Sequence, residues 1–138
     1  MIGAKKEVVR QMPEIDLRKK HVVTFYNLVF NQNEIAGAVE QFVGDEFIQH
    51  NPNIETGKLG FINFFERMAR EHPRKRVTVK RAFAEGDHVI LHCLQEWPGV
   101  QNFATVDIFR LNGDGKIVEH WDVMQAMPQK SANPNGMF

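Results

Sequence analysis

Phe103-Ala-Thr-Val-Asp-Ile-Phe-Arg-Leu111, Asn112-Gly-Asp-Gly115 and Lys116-Ile-Val-Glu-His-Trp-Asp-Val-Met124 follow one another without a break. The flanking runs are rich in β-branched and aromatic residues and the four residues between them are turn formers, so the stretch predicts a β-hairpin. Side chains alternate faces along a strand, and paired residues share a face. Closing the hairpin with Leu111 opposite Lys116 sets Phe109 against Val118, Asp107 against His120 and Thr105 against Asp122. One face then carries Asp107, His120 and Asp122 among Phe109, Val118 and Met124. The other carries Val106, Ile108, Arg110, Ile117, Glu119, Trp121 and Val123. A one-residue slip would separate these pairs. If the first face is enclosed, a carboxylate there must be paired or held protonated, and such a group exchanges protons near neutral pH. If it faces water, the same residues are a solvated surface; alternation alone leaves both readings open.

Upstream, Val77–Ala84 and His88–Glu96 read as two further strands joined by Glu85-Gly86-Asp87, completing an antiparallel meander. In the second of them His88, Ile90, His92 and Leu94 share one face, and Val89, Leu91, Cys93 and Gln95 the other. His92, between apolar neighbours, is either a core histidine or a pocket base. Before the strands the period is helical. Leu17, Val22, Phe25, Tyr26, Val29 and Phe30 mark a helix from Asp16, its expected N-cap, to about Phe30, with Asn31 as its stop. A shorter helix, Glu34–Val43, follows with Asn33 as cap. A third runs from about Lys58 to Glu71, its stripe being Leu59, Ile62, Phe65, Met68 and Ala69, and Pro73 bars its continuation. Between these two helices lies Glu46-Phe-Ile-Gln-His-Asn-Pro52, where Pro52 forces Asn51 out of the helical region. Helices first and strands afterwards predict an α+β fold, with helices packed on one face of a curved sheet. Residues 1–13 read as a loosely attached arm and 14–138 as one domain, its turn-rich tail anchored by Met137 and Phe138.

Lys plus Arg and Asp plus Glu both number 17 in the 138 residues, a formal net charge of zero. That argues against a nucleic-acid partner, whose binding rests on clustered positive charge. The short basic runs Arg18-Lys19-Lys20 and Arg74-Lys75-Arg76 read as solvated faces. Cys93 is the single cysteine, so no intramolecular disulfide is possible, which fits a reducing compartment. In its apolar strand it reads as an inert core residue rather than a nucleophile. No stretch approaches the ~18 apolar residues of a membrane span, and charges interrupt the N-terminus early, so a cytoplasmic protein without membrane contact is expected. His88 and His92 do not make a metal pair, because four residues along a strand span about 13 Å against about 6 Å on a helix. No serine elbow, phosphate loop or dinucleotide fingerprint is present.

The stretch Ala104–Gln125, with its Glu119-His-Trp-Asp122 core, resembles the SnoaL-like polyketide cyclases of the nuclear-transport-factor-2-like superfamily. Phe47-Ile-Gln-His-Asn-Pro52 and Ala84-Glu-Gly-Asp-His-Val-Ile-Leu-His92 are similar to two further motifs of that group, and Ser131–Phe138 resembles the subgroup of predicted ester cyclases. The resemblance spans about residues 20 to 138. It implies a cone-shaped sheet wrapped around a pocket closed by the N-terminal helices, and a homodimer formed through the outer sheet face. It also implies ring closure or isomerisation of a hydrophobic small-molecule carbonyl substrate, without metal or organic cofactor. Carried onto this chain, the acid–base aspartate falls on Asp107 and the assisting histidine on His92, with His50 at the pocket mouth. Tyr26, Phe109, His120, Asp122 and Met124 are the remaining expected pocket residues, while Glu119 and Trp121 fall outside. The alternative in another class is a non-catalytic ligand-binding or dimerisation module on the same fold.

Overall fold

The computed structural model describes residues 14–138; the expected arm at 1–13 lies outside the described residues. Three helices, α1 (Glu14–Phe30), α2 (Ile35–Phe42) and α3 (Gly57–Glu71), precede the meander β2 (Arg76–Glu85), β3 (His88–Trp97), β4 (Gln101–Leu111) and β5 (Ile117–Ala126). A strand not foreseen from the sequence, β1 (Val43–Gln49), lies between α2 and α3 and pairs with β5 in parallel. The curved, unclosed sheet therefore has the order β1-β5-β4-β3-β2, with helices covering one face. No helix among the described residues is long and apolar enough to cross a membrane.

The helical spacing read in α1 is the one that packs: Val22, Phe25, Tyr26, Val29 and Phe30 are all at most 4% exposed. They meet the inward residues of β3 (Val89, Leu91, Cys93) and of β4 (Phe109, Leu111). On α3 the buried stripe is Phe61, Phe65 and Met68; Leu59, expected on it, is 68% exposed. Asp16 lies inside a helix that begins at Glu14 rather than capping it. Asn33 does not cap α2 either: it has φ 55 and the N-cap is Glu34, without a side-chain bond.

Asn33 instead receives the ammonium of Lys75 at 2.7 Å, and Lys75 also donates to the Phe30 carbonyl at 2.8 Å. Lys75 is thus buried and holds the end of α1, where a cation offsets the carbonyl dipoles; the expectation of a solvated basic run fails at this residue. Asn31 completes the junction. Its amide donates to Val77 O (2.9 Å) and accepts from Val77 N–H (2.8 Å), extending the edge of β2 by a side chain.

The β4–β5 hairpin is displaced by two residues from the expected register. Leu111 pairs with Ile117, the ladder then slips at Val118, and Phe109 pairs with His120, Asp107 with Asp122 and Thr105 with Met124. Because the offset is even, Asp107, His120 and Asp122 still share the inner face. The bulge also carries Ile117, expected on the outer face, into the core at 1% exposure. Gly44 lets β1 approach this irregular point, since a Cβ there would sit 2.9 Å from Val118 Cγ1.

Asn31→Ala leaves the buried Val77 backbone without either partner. It is expected to lower the urea midpoint at unchanged m, a loss of about 1–3 kcal/mol; an unchanged midpoint would show that the α1–β2 junction does not depend on this amide.

Candidate functional site

Between the helices and the inner sheet face lies a cavity of about 470 Å³. Its floor is Asp107, Phe109 and Tyr26, each nearly inaccessible, and its rim includes Asn53, Arg67, Val100 and Met124, all exposed. Strand alternation delivers Thr105, Asp107 and Phe109 from β4 and His120, Asp122 and Met124 from β5. Tyr26 comes down from α1 and Gln95 across from β3.

Asp107 is 1% exposed, and its charge is balanced by donors. Thr105 donates to Oδ2 at 3.1 Å, and the Tyr26 hydroxyl lies 3.4 Å from both oxygens. Tyr26 in turn accepts from Gln95 Nε2 at 2.8 Å, and Gln95 Oε1 accepts from the Trp97 indole at 3.0 Å. Burial first, and the Asp107 charge second, push the tyrosine well above its usual range, so it stays a neutral O–H donor.

The third partner of Asp107 is His120, whose Nε2 lies 3.0 Å from Oδ1. Its ring orientation follows from Gln49. Gln49 Oε1 accepts from the backbone N–H of Asn51 at 2.9 Å, which can only donate, so that atom is the oxygen. His120 Nδ1, 2.8 Å from the same oxygen, must therefore carry a proton. The Nε2–Oδ1 contact then closes only with a proton between them, on the imidazole or on the carboxyl. The geometry so defines a dyad sharing one proton. Gln49 Nε2 has no partner among the described residues. Flipping the amide would point that nitrogen at the Asn51 N–H, so the unpaired donor, a cost of about 1–3 kcal/mol, is retained.

Asp122 faces Asp107 across the β4–β5 ladder, and like charges so placed repel. Asn51 Nδ2 donates to both Asp122 oxygens at 2.9 Å, and His120 Nε2 stands 3.9 Å away. Burial raises the Asp122 carboxyl above its ordinary range against the pull of His120 and of Asn51. Asp107, His120 and Asp122 also offer one ligand atom each, all within 4.8 Å, so these three side chains are able to hold a cation, which the expectation of no metal ligands did not foresee. The donors already on their oxygens, from Thr105, Tyr26 and Asn51, satisfy the cluster without one. The Cys93 thiol, pushed up to about 12 by burial and then by Asp107, is unreactive.

The expected residues separate accordingly. The cavity brings together Asp107, His120, Asp122, Phe109, Tyr26 and Met124. It does not include His92 or His50. His92 pairs with Val106, one step out of phase with Asp107, so it projects from the outer face, where its Nδ1 accepts from the Arg81 guanidinium and its ring meets Phe138 at 5.3 Å. His50 is on that side too, stacked on Trp121 at 4.9 Å and bonded to Glu119 at 2.8 Å. Glu119 and Trp121 lie outside, Glu119 holding Arg110 at 2.8 Å. The residues not anticipated are Gln49, Asn51, Gln95 and Thr105. Gln95 and Thr105 carried a signal, as polar residues at the inward positions of alternating strands.

Solved structures share this fold at low identity. TsrD from Streptomyces laurentii superposes with a TM-score of 0.67 at 17% identity, covering 83% of this chain and 91% of that one. AclR from Streptomyces galilaeus, provisionally described as a hydroxylase, gives 0.66 at 23% identity, over 81% of this chain and 91% of its own. A provisionally assigned polyketide cyclase from Bacillus cereus gives 0.62 at 21% identity, over 72% and 68% respectively. No curated protein sequence matches this chain significantly. Residues 22–120, which carry the second half of α1, the β1 strand and the Asp107–His120 dyad, match the family model described as the SnoaL-like domain, and the chain therefore belongs to the SnoaL-like family.

Proposed function

We propose that the cavity binds a hydrophobic small-molecule carbonyl compound and that Asp107 serves as its general acid–base, in a cyclase or isomerase reaction needing no organic cofactor. The observation that carries this reading is the 3.0 Å contact between Asp107 Oδ1 and His120 Nε2 at the floor of an apolar cavity. With the proton of that contact on His120, Asp107 is a carboxylate beside an imidazolium. It takes a proton from the carbon α to a substrate carbonyl. The Tyr26 hydroxyl and the imidazolium stand ready as donors to the enolate oxygen. The enolate then either attacks a second carbonyl of the same molecule, closing a ring whose new alkoxide takes the proton back from the Asp107 carboxyl, or is reprotonated by that carboxyl at another position. Acid–base catalysis of this kind is worth 10²–10⁴-fold. The resemblance placed the assisting histidine at His92; His120 takes that role in this proposal, because it is the histidine within reach. The names given to AclR and to the Bacillus cereus protein, a hydroxylase and a cyclase, are consistent with small-molecule chemistry on this fold.

One observation favours a second reading, a non-catalytic binding module. The Asp107 oxygens already accept from Thr105, Tyr26 and His120, which leaves about one of a carboxylate's roughly four acceptor positions for a substrate. One experiment separates the two: exchange of α-protons of aryl β-keto esters in D₂O, followed by proton NMR. The enzyme reading expects acceleration by the wild type and at least a 100-fold loss in Asp107→Asn with the fold intact. Binding without exchange, or exchange unaffected by Asp107→Asn, supports the binding module.

The dyad has its own test. Nitrogen-15 shifts of His120 are expected to show a protonated Nδ1 in the wild type, and Gln49→Leu is expected to release the ring to the other tautomer. A wild-type ring with bare Nδ1 overturns the assignment.

The homodimer belongs to this proposal too. The outer face offers Val106, Ile108, Trp121 and Val123, the last 68% exposed, around a shallow apolar concavity. Sedimentation at micromolar concentration is expected to give a dimer that Val123→Glu dissociates; a wild-type monomer rules this interface out.

A further inference from the structure

The cavity is polar at both ends and apolar between. Its floor is the Asp107–His120–Asp122 group, and its walls are largely phenylalanines, among them Phe61, Phe65 and Phe103. At its exposed rim stands Arg67, the one lining side chain with a permanent positive charge. Arg67 has no acidic partner within salt-bridge distance among the described residues; its guanidinium lies over the Phe64 ring, 5.7 Å from the centroid. A guanidinium so seated keeps its N–H groups free to engage the oxygens of an anion while its flat face is held. His72, one turn on at the end of α3, lines the same rim with its ring edge-on to Trp97 at 5.4 Å. The carboxylates at the floor disfavour an anion there, so the guanidinium of Arg67 makes the rim the favourable position for a negative group.

From this juxtaposition we infer that the ligand is amphipathic, with its carbonyl end at the floor and an acidic group (a carboxylate or sulfonate) at the rim, where Arg67 binds it. The inference rests on the small-molecule reading of the cavity and narrows its substrate class to organic acids on a hydrophobic frame. Arg67 is thereby a specificity-determining residue remote from the reacting atoms. A neutral compound of the same shape binds without its help, which is what makes the idea testable before any substrate is known.

Two fluorescent probes with the same ring system supply the test: 8-anilinonaphthalene-1-sulfonate and its uncharged counterpart N-phenyl-1-naphthylamine. The chain has two tryptophans, Trp97 lining the cavity and Trp121 on the outer face, so their indole N–H signals report which surface a probe occupies. The sulfonate is expected to shift the Trp97 signal and to bind about fivefold more tightly than the neutral probe, an advantage of the size of a partly exposed charge pair that fades with added salt. Arg67→Gln is expected to abolish that preference and leave the neutral probe's affinity unchanged. Equal binding of the two probes by the wild type, or equal weakening of both by Arg67→Gln, overturns the rim assignment and leaves the small-molecule reading intact. Failure of both probes to move Trp97 while Trp121 responds overturns the small-molecule reading and this inference together.

Discussion

A carboxylate with 1% of its surface exposed has lost its hydration, and everything around Asp107 can be understood as the replacement for it. Thr105 stands two residues back on the same strand face, Tyr26 is brought by α1, and His120 is brought by β5. These donors come from three separate elements. The site consequently exists only when α1 is seated on the sheet and the β4–β5 ladder holds its register. The aromatic contacts that seat α1, Phe25 and Tyr26 edge-on to Phe109 at 6.4 and 6.0 Å, surround the same residues. Core packing and site assembly are one event here.

The strand β1 does less for the core than for the site. It adds Val43 and Phe47 to the hydrophobic cluster and then leads into Gln49-His50-Asn51, whose backbone continues along β5 through the His50 N–H to His120 carbonyl bond at 3.0 Å. That bond fixes where Gln49 and Asn51 stand. Gln49 orients the His120 ring and Asn51 grips both oxygens of Asp122, so one short segment organises the two groups flanking Asp107. The unpaired Gln49 nitrogen marks where stability is given up for that geometry.

Period and composition were enough for the α+β order, for the α1 face and for the presence of Asp107, His120 and Asp122 on one surface. The parts that escaped have physical causes. The turn closes on Ile117 rather than Lys116 and the bulge at Val118 adds a second residue, so every later pair moves by two, and nothing local to the hairpin announces it. Strand β1 pairs in parallel with a segment some seventy residues later, a contact no local pattern encodes. The resemblance sets His50 at the pocket mouth, whereas alternation along β1 from the buried Phe47 points to Gln49 and Asn51. Lys75 looked like part of a solvated run because its acceptors, Phe30 O and Asn33, are more than forty residues away.

The resemblance set its assisting histidine at His92, and strand parity turns that side chain to the outer face. On β3 it is Leu91 that pairs with Asp107, so His92 points away from it. On β5 the same alternation divides neighbouring residues between two surfaces. His120 and Asp122 turn inward to the dyad, while Glu119, Trp121 and Val123 turn outward to the apolar concavity. The cavity and the exposed face are therefore two sides of one strand. Trp121 stands between His120 and Asp122, so the backbone that presents the outer face is the same backbone that sets the 3.0 Å contact of His120 with Asp107. A single residue of sequence separates the inner cluster from the outer surface.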